Sequence, residues 1–543
     1  MSRLTASLLW SRLRTPLALL FVLVVMLLPH RADWINAQSF VFVPLELWIF
    51  GLLLLLPRHA PLCRLGLGVL LGVGLIIRLS DLVVFQIFAR SFNPVLDAHL
   101  LNDGVNLLSG AVGPVAATLG VLLLIAVVTV LMWLSVAAMR TLQQTLQQHP
   151  QRSALLLIVG LVLTSLWRVA ELPRTTTYFS DQLREHVTNT TQSLRDLSAF
   201  RAELASEAAR TDVPQLQLLQ GLAGKDVVVV FVESYGRTAL EHELFAPTVK
   251  AVLERGEKSL ASAGFASRSA WLSSPTVGGL SWLAHATALS GLWIDSQLRP
   301  DSLLRSARPT LNKLFAEAGW RTVGVMPAIT MPWPEGRYYG YEQFYAAADL
   351  DYRGSPFNWV TMPDQYVLSA FQRLERSDSN RAPVMAEIAL ISSHAPWTPI
   401  PQAVEWNAVE DGTVFTAQAE AGPTPDEVWK DDATIRDHYR QAVAYSLDTL
   451  ISWVETYGDD DLVVVVLGDH QPAPLVSGDT ENRDVPVHLI ARDPAVFDAI
   501  SAWEWQEGLR PNQQAPQWRM DALRDRFVDA FSEAIEHEIA AAP

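Results

Sequence analysis

Residues 461–470 read DLVVVVLGDH, an apolar run that stops at a glycine, an aspartate and a histidine. A similar run, DVVVVFVES, occupies residues 226–234 and stops at Glu233 and Ser234. Valine-rich runs without polar alternation are typical of strands that are covered on both faces, as in parallel sheets. Such strands need helices on either side, so these two stretches predict an α/β fold for this part of the chain.

Three further apolar runs lie in the same half of the chain, at residues 321–326, 384–394 and 485–491. Helical periodicity lies between the runs, most clearly at residues 435–458. Strands that alternate with helices in this way predict a mostly parallel sheet between helices.

Polar side chains follow three of these strands where each strand ends: Glu233, His394 and the pair Asp469-His470. In open α/β sheets, ligands bind beyond the carboxyl ends of the strands. A carboxylate or histidine at one strand end is common in solvated loops and helix caps. Three such ends at one edge of a sheet are instead expected to form a site with metal-binding capacity.

The first 172 residues are apolar and poor in charge, unlike the rest of the chain. A helix that crosses about 30 Å of hydrocarbon needs about 20 apolar residues. Suitable stretches lie near residues 15–29, 39–57, 65–88, 112–139 and 153–172. We therefore predict that residues 1–172 form a transmembrane domain, a bundle of five helices.

Arginines in the short loops predict the orientation of these spans. The segments before the first span, between the second and third, and between the fourth and fifth carry arginine and no acidic residue, whereas the other loops also carry aspartate. The N-terminus is therefore expected in the cytoplasm and the domain after the fifth span on the outer face. Arg78 and Asp81, at spacing i, i+3 near the end of the third span, are expected to pair, either as a functional intramembrane pair or at the interface.

The remainder of the chain has the composition of a soluble domain. Residues 173–222 are polar and predict a helical connector, and residues 223–543 predict the folded domain. A net charge of −16, from 57 acidic and 41 basic residues, excludes nucleic acid as a partner, because that class needs a basic face. The single cysteine, Cys63, excludes an intramolecular disulfide.

These motifs resemble those of the alkaline phosphatase and sulfatase superfamily, and within it the membrane-anchored group that includes lipoteichoic acid synthase and the lipid A phosphoethanolamine transferases. FVES matches the acidic metal ligand that ends the family's first strand, and LGDHQP matches its late Asp-His pair. The resemblance implies that Glu233, Asp469 and His470 bind one divalent metal, and that His394, in ISSHAPW, lies near the substrate. Mixed oxygen and nitrogen ligands suit Zn²⁺ or Mn²⁺ better than Ca²⁺.

The nucleophile is expected within SSPTVGGLSWLAHATALSGLW, residues 273–293. In sulfatases the nucleophile opens a helix and a Ser/Thr-Gly pair follows nine and ten positions later, so counting back from Ser290-Gly291 identifies Ser281, whose oxygen is also expected on the metal. The glycines before it fit a turn into a helix whose N-terminal amides bind phosphate. Thr276 is the fallback nucleophile, since the transferases of this group usually use threonine. The Cys-x-Pro-x-Arg motif of sulfatases is absent, so sulfate esters are not the expected substrates.

Three further residues are weaker candidates for substrate binding. Trp333 and Arg337, in MPWPEGRYYGYEQFY, resemble a headgroup-binding stretch of lipoteichoic acid synthase, although a surface loop rich in aromatic residues explains them equally well. His285 lies near the expected nucleophile, but a lone histidine more often has a structural role.

The resemblance implies a phosphotransferase of the bacterial inner membrane. It would move a phosphoethanolamine or phosphoglycerol headgroup from a phospholipid donor to an envelope glycan or lipid through a phosphoserine intermediate. A serine hydroxyl needs a base or a metal to become nucleophilic, and His394 could protonate the leaving alcohol. The alternatives are a phosphoester hydrolase of the same superfamily and a catalytically silent membrane sensor or assembly protein.

Overall fold

The computed structural model describes most of the chain as two compact units, one made of residues 1–86 and 90–198 and the other of residues 87–89 and 199–543. The described residues are 2–56, 60–88, 90–98, 100–101, 104–105, 108–109, 113–169, 175–208, 216–296, 299, 303–304, 306, 308–331, 333, 336–378, 380–478 and 481–534.

The first unit is helical. Its helices are α1 (Ser2–Leu27), α2 (Leu45–Leu54), α3 (Ala60–Phe88), α4 (Pro114–Leu146), α5 (Pro150–Val169) and α6 (Tyr178–Ala208), the last of which continues into the second unit. A two-residue strand pair joins Val43–Pro44 to Thr175–Thr176.

Three helices among the described residues are long and apolar enough to cross a membrane: Pro61–Phe88, Pro114–Leu146 and Pro150–Val169. They coincide with the third, fourth and fifth predicted spans. Shorter apolar helices, Leu13–Leu27 and Leu45–Leu54, lie where the first two spans were expected. The chain therefore has the helices of a membrane protein, and a bundle of five spans stays a prediction.

The expected pairing of Arg78 with Asp81 is wrong. One Asp81 oxygen lies 2.9 Å from Nε2 of His186 on α6, and the other accepts a hydrogen bond of 2.8 Å from the backbone N–H of Phe92. Arg78 instead donates to the carbonyl of Leu28. Partners on neighbouring segments replace the partner one turn away because both side chains are buried at helix contacts.

The second unit is built on a nine-stranded sheet. Its strands are β1 (Asp226–Val232), β2 (Ala266–Ser273), β3 (Arg321–Met326), β4 (Gln343–Ala346), β5 (Val384–Leu390), β6 (Leu462–Gly468), β7 (Asp484–Ala491), β8 (Gln506–Glu507) and β9 (Gln517–Arg519). The order across the sheet is β8-β2-β7-β6-β1-β5-β3-β4, with β9 paired to β2. Leu216–Gln217 and Glu533–Ala534 form a separate two-residue pair.

The sheet is mixed: among the described strands, five pairs are parallel and three are antiparallel. Strands β6, β1, β5, β3 and β4 form a parallel block, as four of the apolar runs predicted. The fifth run becomes β7, which is antiparallel to both β6 and β2. Sequence analysis also missed β2, because ASRSAWLS contains no apolar run. A run of buried apolar residues identifies a strand but carries no information about its direction.

Helices cover both faces of the sheet. They are α7 (Thr238–Glu241), α8 (Ala246–Ser262), α9 (Ser281–Ser290), α10 (Leu311–Glu317), α11 (Gly336–Tyr339), α12 (Asp364–Phe371), α13 (Thr416–Ala421), α14 (Pro425–Val428), α15 (Asp432–Tyr457), α16 (Pro474–Ser477), α17 (Pro494–Ala499) and α18 (Ala522–Phe531). Helix α18 is the last of these in the chain, and residues 535–543 lie outside the described part.

Strand β1 divides the core into two layers. Val228 and Val230 belong to the cluster that includes buried residues of α8 and α15. Val229 and Phe231 belong to the cluster on the other side, which includes residues of α9 and α18. Alternate residues of a strand point to opposite faces, so β1 lies at the centre of a helix–sheet–helix sandwich. Its carboxyl end, at Glu233, is consequently held rigidly from both sides.

Candidate metal and nucleophile site

Glu233, Asp469 and His470 come together at the carboxyl ends of two adjacent parallel strands. The pairing of Val232 on β1 with Gly468 on β6 places the residues that follow each strand side by side. One ligand atom from each of the three side chains lies within 4.8 Å of the others. Nε2 of His470 is 3.1 Å from Oε1 of Glu233 and 3.7 Å from Oδ2 of Asp469.

Backbone groups orient the ligand atoms of this cluster. Oδ1 of Asp469 accepts hydrogen bonds from the backbone N–H groups of Ser234, at 2.7 Å, and His470, at 2.6 Å, which leaves Oδ2 directed at the cluster. Nδ1 of His470 donates to the carbonyl of Gln471 at 2.8 Å, so Nε2 of the neutral ring presents a lone pair. A fixed tautomer of this kind is what metal-ligating histidines usually have. The donor set therefore fits a divalent cation such as Zn²⁺ or Mn²⁺.

The electrostatics of the cluster favour positive charge at its centre. Burial raises the pKa of Asp469 to about 7, and the neighbouring Glu233 carboxylate adds to this effect. Burial alone would lower the pKa of His470, but the carboxylates of Asp469 and Glu233 outweigh it and raise that pKa to about 9. Burial also opposes charge on Glu233, yet His394 and His470 hold its pKa well below the ordinary value.

Ser281 lies directly against this cluster. Its hydroxyl donates to Oε2 of Glu233 at 2.9 Å, and Oγ lies 3.2 Å from Nε2 of His470. The chain enters α9 through Gly278, Gly279 and Leu280, whose φ values of 73°, 145° and 64° lie in the left-handed region. This tight entry, which favours glycine, makes Ser281 the first residue of the helix, where the positive end of the helix dipole favours an anion.

Thr276, the fallback nucleophile, has a different environment. Its hydroxyl donates to the carbonyl of Gly279 at 2.7 Å, and the residue is 6% exposed. This bond closes the turn that leads into α9. The geometry therefore brings Ser281, and not the Thr276 hydroxyl, into contact with Glu233 and His470.

Two histidines flank the cluster. His394 follows β5, its ring stacks on Trp359 with centroids 4.2 Å apart, and its charge influences Glu233. His285, one turn after Ser281 on α9, stacks on Phe231 with centroids 3.7 Å apart. Both rings are thus held by aromatic stacking, and their roles at the site stay predictions.

Trp333 and Arg337 are not joined to the cluster. Trp333 packs on the rings of Tyr339 and Phe344, with centroids 5.4 and 5.2 Å apart, and Arg337 is exposed on α11. Within the part of the chain that the structure describes, no hydrogen bond, ion pair or ring contact links either residue to Glu233, Asp469 or His470. Their role in headgroup binding stays a prediction.

Sequence analysis missed one buried carboxylate next to the site. Glu387 lies inside β5 and contacts His285 through an Oε1–Nδ1 distance of 2.7 Å. The signal was present in VMAEIAL, where a single acidic residue interrupts a strand that is otherwise apolar. Its partner could not be read from the sequence because His285 is 102 positions away.

A scan against protein-family models finds no match, and a search of curated proteins finds none. Solved structures do match. The lipoteichoic acid synthase LtaP of Listeria monocytogenes is 13% identical, with 62% of this chain and 77% of that chain covered and a TM-score of 0.38. The C-terminal periplasmic domain of EptC from Escherichia coli, in complex with Zn, is 14% identical, with 59% and 86% covered and a TM-score of 0.40. The phosphoglycerol transferase GacH of Streptococcus pyogenes, in complex with sn-glycerol-1-phosphate, is 12% identical, with 63% and 91% covered and a TM-score of 0.35.

The search therefore returns members of the group that the motifs resemble.

Proposed function

We propose that the second unit is a metal-dependent phosphotransferase in which Ser281 attacks a phosphate ester. The observation that carries this proposal is the position of the Ser281 hydroxyl, at the first residue of α9 and within hydrogen-bond distance of both Glu233 and His470. A hydroxyl placed against three potential metal ligands and a helix N-terminus meets two requirements at once: activation of the nucleophile and binding of the anionic phosphate.

Each residue of the site has a separate role in the first step, the attack of Ser281 on the phosphate ester. Glu233 accepts the Ser281 hydrogen bond and so orients Oγ, while the positive end of the α9 helix dipole stabilises the anionic phosphate. A divalent cation held by Glu233, Asp469 and His470 would acidify the serine hydroxyl and neutralise charge on the phosphate. In this proposal His394 protonates the departing alcohol.

The substrate class follows from the rest of the chain. The helices that are long enough to cross a bilayer attach the second unit to a membrane, so phospholipids are available to it as donors. We assign the donor to phospholipids with phosphoethanolamine or phosphoglycerol headgroups and the acceptor to an envelope glycan or lipid. The proposed topology places the N-terminus in the cytoplasm and the catalytic unit on the outer face of a bacterial inner membrane.

The test uses the full-length protein in lipid nanodiscs with Zn²⁺ or Mn²⁺ and headgroup-labelled phosphatidylethanolamine or phosphatidylglycerol. Mass spectrometry is expected to find a phospho-headgroup adduct on Ser281, and Ser281→Ala is expected to lose the adduct and about 10³-fold or more of the activity. Thr276→Ala is the matched control and is expected to keep the adduct.

Three outcomes would contradict parts of this proposal. An adduct on Thr276 would reassign the nucleophile. Full activity in Ser281→Ala would remove the serine mechanism. Release of free headgroup phosphate with no acceptor adduct, when glycan and lipid acceptors are supplied, would make the protein a hydrolase.

A further inference from the structure

Glu387 is a charged residue where the fold does not need one. It is 1% exposed in the middle of β5, a central strand between β1 and β3, and its neighbours in the strand are apolar. Burying a carboxylate costs several kcal/mol unless it is well paired, and an apolar residue of similar size often serves stability as well or better. A buried charge in this position is therefore a candidate for a functional role.

Two side chains bind the Glu387 carboxylate. The Tyr341 hydroxyl donates to Oε2, and Nδ1 of His285 lies 2.7 Å from Oε1. A carboxylate only accepts hydrogen bonds, so Nδ1 of His285 must carry the proton. The neutral ring then presents a lone pair on Nε2, and no hydrogen bond to Nε2 is found among the described residues.

The imidazole of His285 is held on the same side of the molecule as the nucleophile. Ser281 and His285 are one turn apart on α9, at the i, i+4 spacing that places two side chains on one helix face. Ser281 contacts Glu233 and His285 stacks on Phe231, and these two partners are themselves two positions apart on one face of the β1 segment. The His285 side chain keeps 12% of its surface exposed, so a ligand can reach it.

We infer that His285 is the proton acceptor in the second half of the reaction, and that Glu387 is the positioning residue that fixes its tautomer and orientation. This inference rests on the proposed function. The acceptor alcohol, or water, forms a new O–P bond while the bond between phosphorus and Ser281 Oγ breaks. The electron pair of the broken bond stays on Ser281 Oγ, and the proton of the acceptor passes to Nε2 of His285. That proton then returns to Ser281, which restores both groups.

The test follows release of p-nitrophenol from bis(p-nitrophenyl) phosphate by the full-length protein in detergent with Zn²⁺ or Mn²⁺. With this good leaving group, the wild type is expected to give a burst followed by a slower steady state set by breakdown of the phosphoserine. Glu387→Gln keeps the shape of the buried site but removes the charge, and His285→Gln removes the base. Both are expected to keep the burst while steady-state kcat falls about tenfold or more.

Two comparisons separate positioning from a structural effect. In the double variant, Glu387→Gln is expected to add nothing to the loss caused by His285→Gln, because Glu387 acts through His285. Tyr341→Phe removes the other partner of Glu387 without touching His285, and it is expected to change kcat less than about threefold.

The outcomes distinguish this inference from the proposed function. A burst in Ser281→Ala would overturn the proposed function itself. If Ser281→Ala abolishes the burst but Glu387→Gln keeps the wild-type kcat, the inference fails and the proposed function stands. Two other results would make Glu387 a structural residue and also overturn the inference. One is a loss of kcat in the Glu387→Gln, His285→Gln double variant that equals the product of the two single losses. The other is loss of the burst in both single variants, Glu387→Gln and Tyr341→Phe.

Discussion

Asp364 offers a test of whether the packing around the site is as the structure describes it. This carboxylate opens α12 and is fully buried. Its Oδ1 accepts hydrogen bonds from the backbone N–H groups of Ile391, at 2.8 Å, and Ser392, at 2.9 Å, and its Oδ2 accepts one from Ser446 at 2.6 Å. These bonds anchor the segment that leads from β5 to His394.

The perturbation is Asp364→Asn. Burial raises the pKa of Asp364 from 3.8 to about 6 in spite of the hydrogen bonds. The folded state therefore holds a proton that the unfolded state releases at lower pH, so stability falls as the pH rises from about 4 to about 6 and stays low above that range. Each pKa unit corresponds to about 1.4 kcal/mol, so ionisation of Asp364 lowers the free energy of unfolding by about 3 kcal/mol at pH 7.5 and by about half of that at pH 5.

Asparagine keeps the acceptor for the two backbone N–H groups and can donate to Ser446, but it carries no charge. We expect Asp364→Asn to raise the melting temperature of the full-length protein in detergent by about 5 °C at pH 7.5, with a smaller gain at pH 5. Differential scanning calorimetry at both values measures the effect. A lower melting temperature at pH 7.5, or a gain that does not shrink at pH 5, would refute the reasoning.

Asp226 is a matched control, for which substitution by asparagine is expected to change the melting temperature in the opposite direction. Asp226 is also buried, but hydrogen bonds from Arg381 and Arg376 outweigh burial and lower its pKa. Its charge therefore contributes stability above the ordinary pKa, and this contribution is lost as the pH falls. Asp226→Asn is expected to lower the melting temperature at pH 7.5, because it removes the carboxylate that pairs with Arg381 and one of the two that pair with Arg376. Breaking a buried ion pair typically costs about 3–5 kcal/mol.

Two further predictions concern the metal cluster. Asp469 and His470 have pKa values raised to about 7 and about 9, so both must lose protons before they bind a metal. The affinity for Zn²⁺, measured by calorimetry, is therefore expected to rise about 100-fold or more from pH 6 to pH 8. An affinity that is independent of pH would contradict the assigned ligands. Gly468→Ala would place a Cβ atom 1.9 Å from the carbonyl oxygen of Tyr235, so it is expected to separate β6 from β1 at the cluster. The rise in melting temperature that Zn²⁺ causes in the wild type is then expected to be absent. Gly66→Ala is the control, because a Cβ there meets no atom within 4 Å, and an intact Zn²⁺ response in Gly468→Ala would count against the assigned geometry.

The site residues on the strands could be predicted from the sequence for a physical reason. Apolar runs of the β1 and β6 type report burial on both faces, and parallel strands end at one edge of the sheet. Glu233 and the Asp469-His470 pair follow such runs directly, so their meeting point was determined by local pattern and one topological rule. Ser281 was reached by counting along a family motif, and the structure brings its hydroxyl to the same edge.

Contacts between distant segments of the chain could not be predicted from the sequence. Strand direction at 484–491, the pairing of Asp81 with His186, and the contact between Glu387 and His285 all join segments that are far apart in the chain. The free energy of such contacts depends on which elements pack together, and a local sequence window contains no record of that choice. The sequence by itself therefore determined which strands carry the site and which residues end them. Only the tertiary structure decided which of those residues hold one another in place, because a buried charge takes the nearest partner in space rather than the nearest one along the chain.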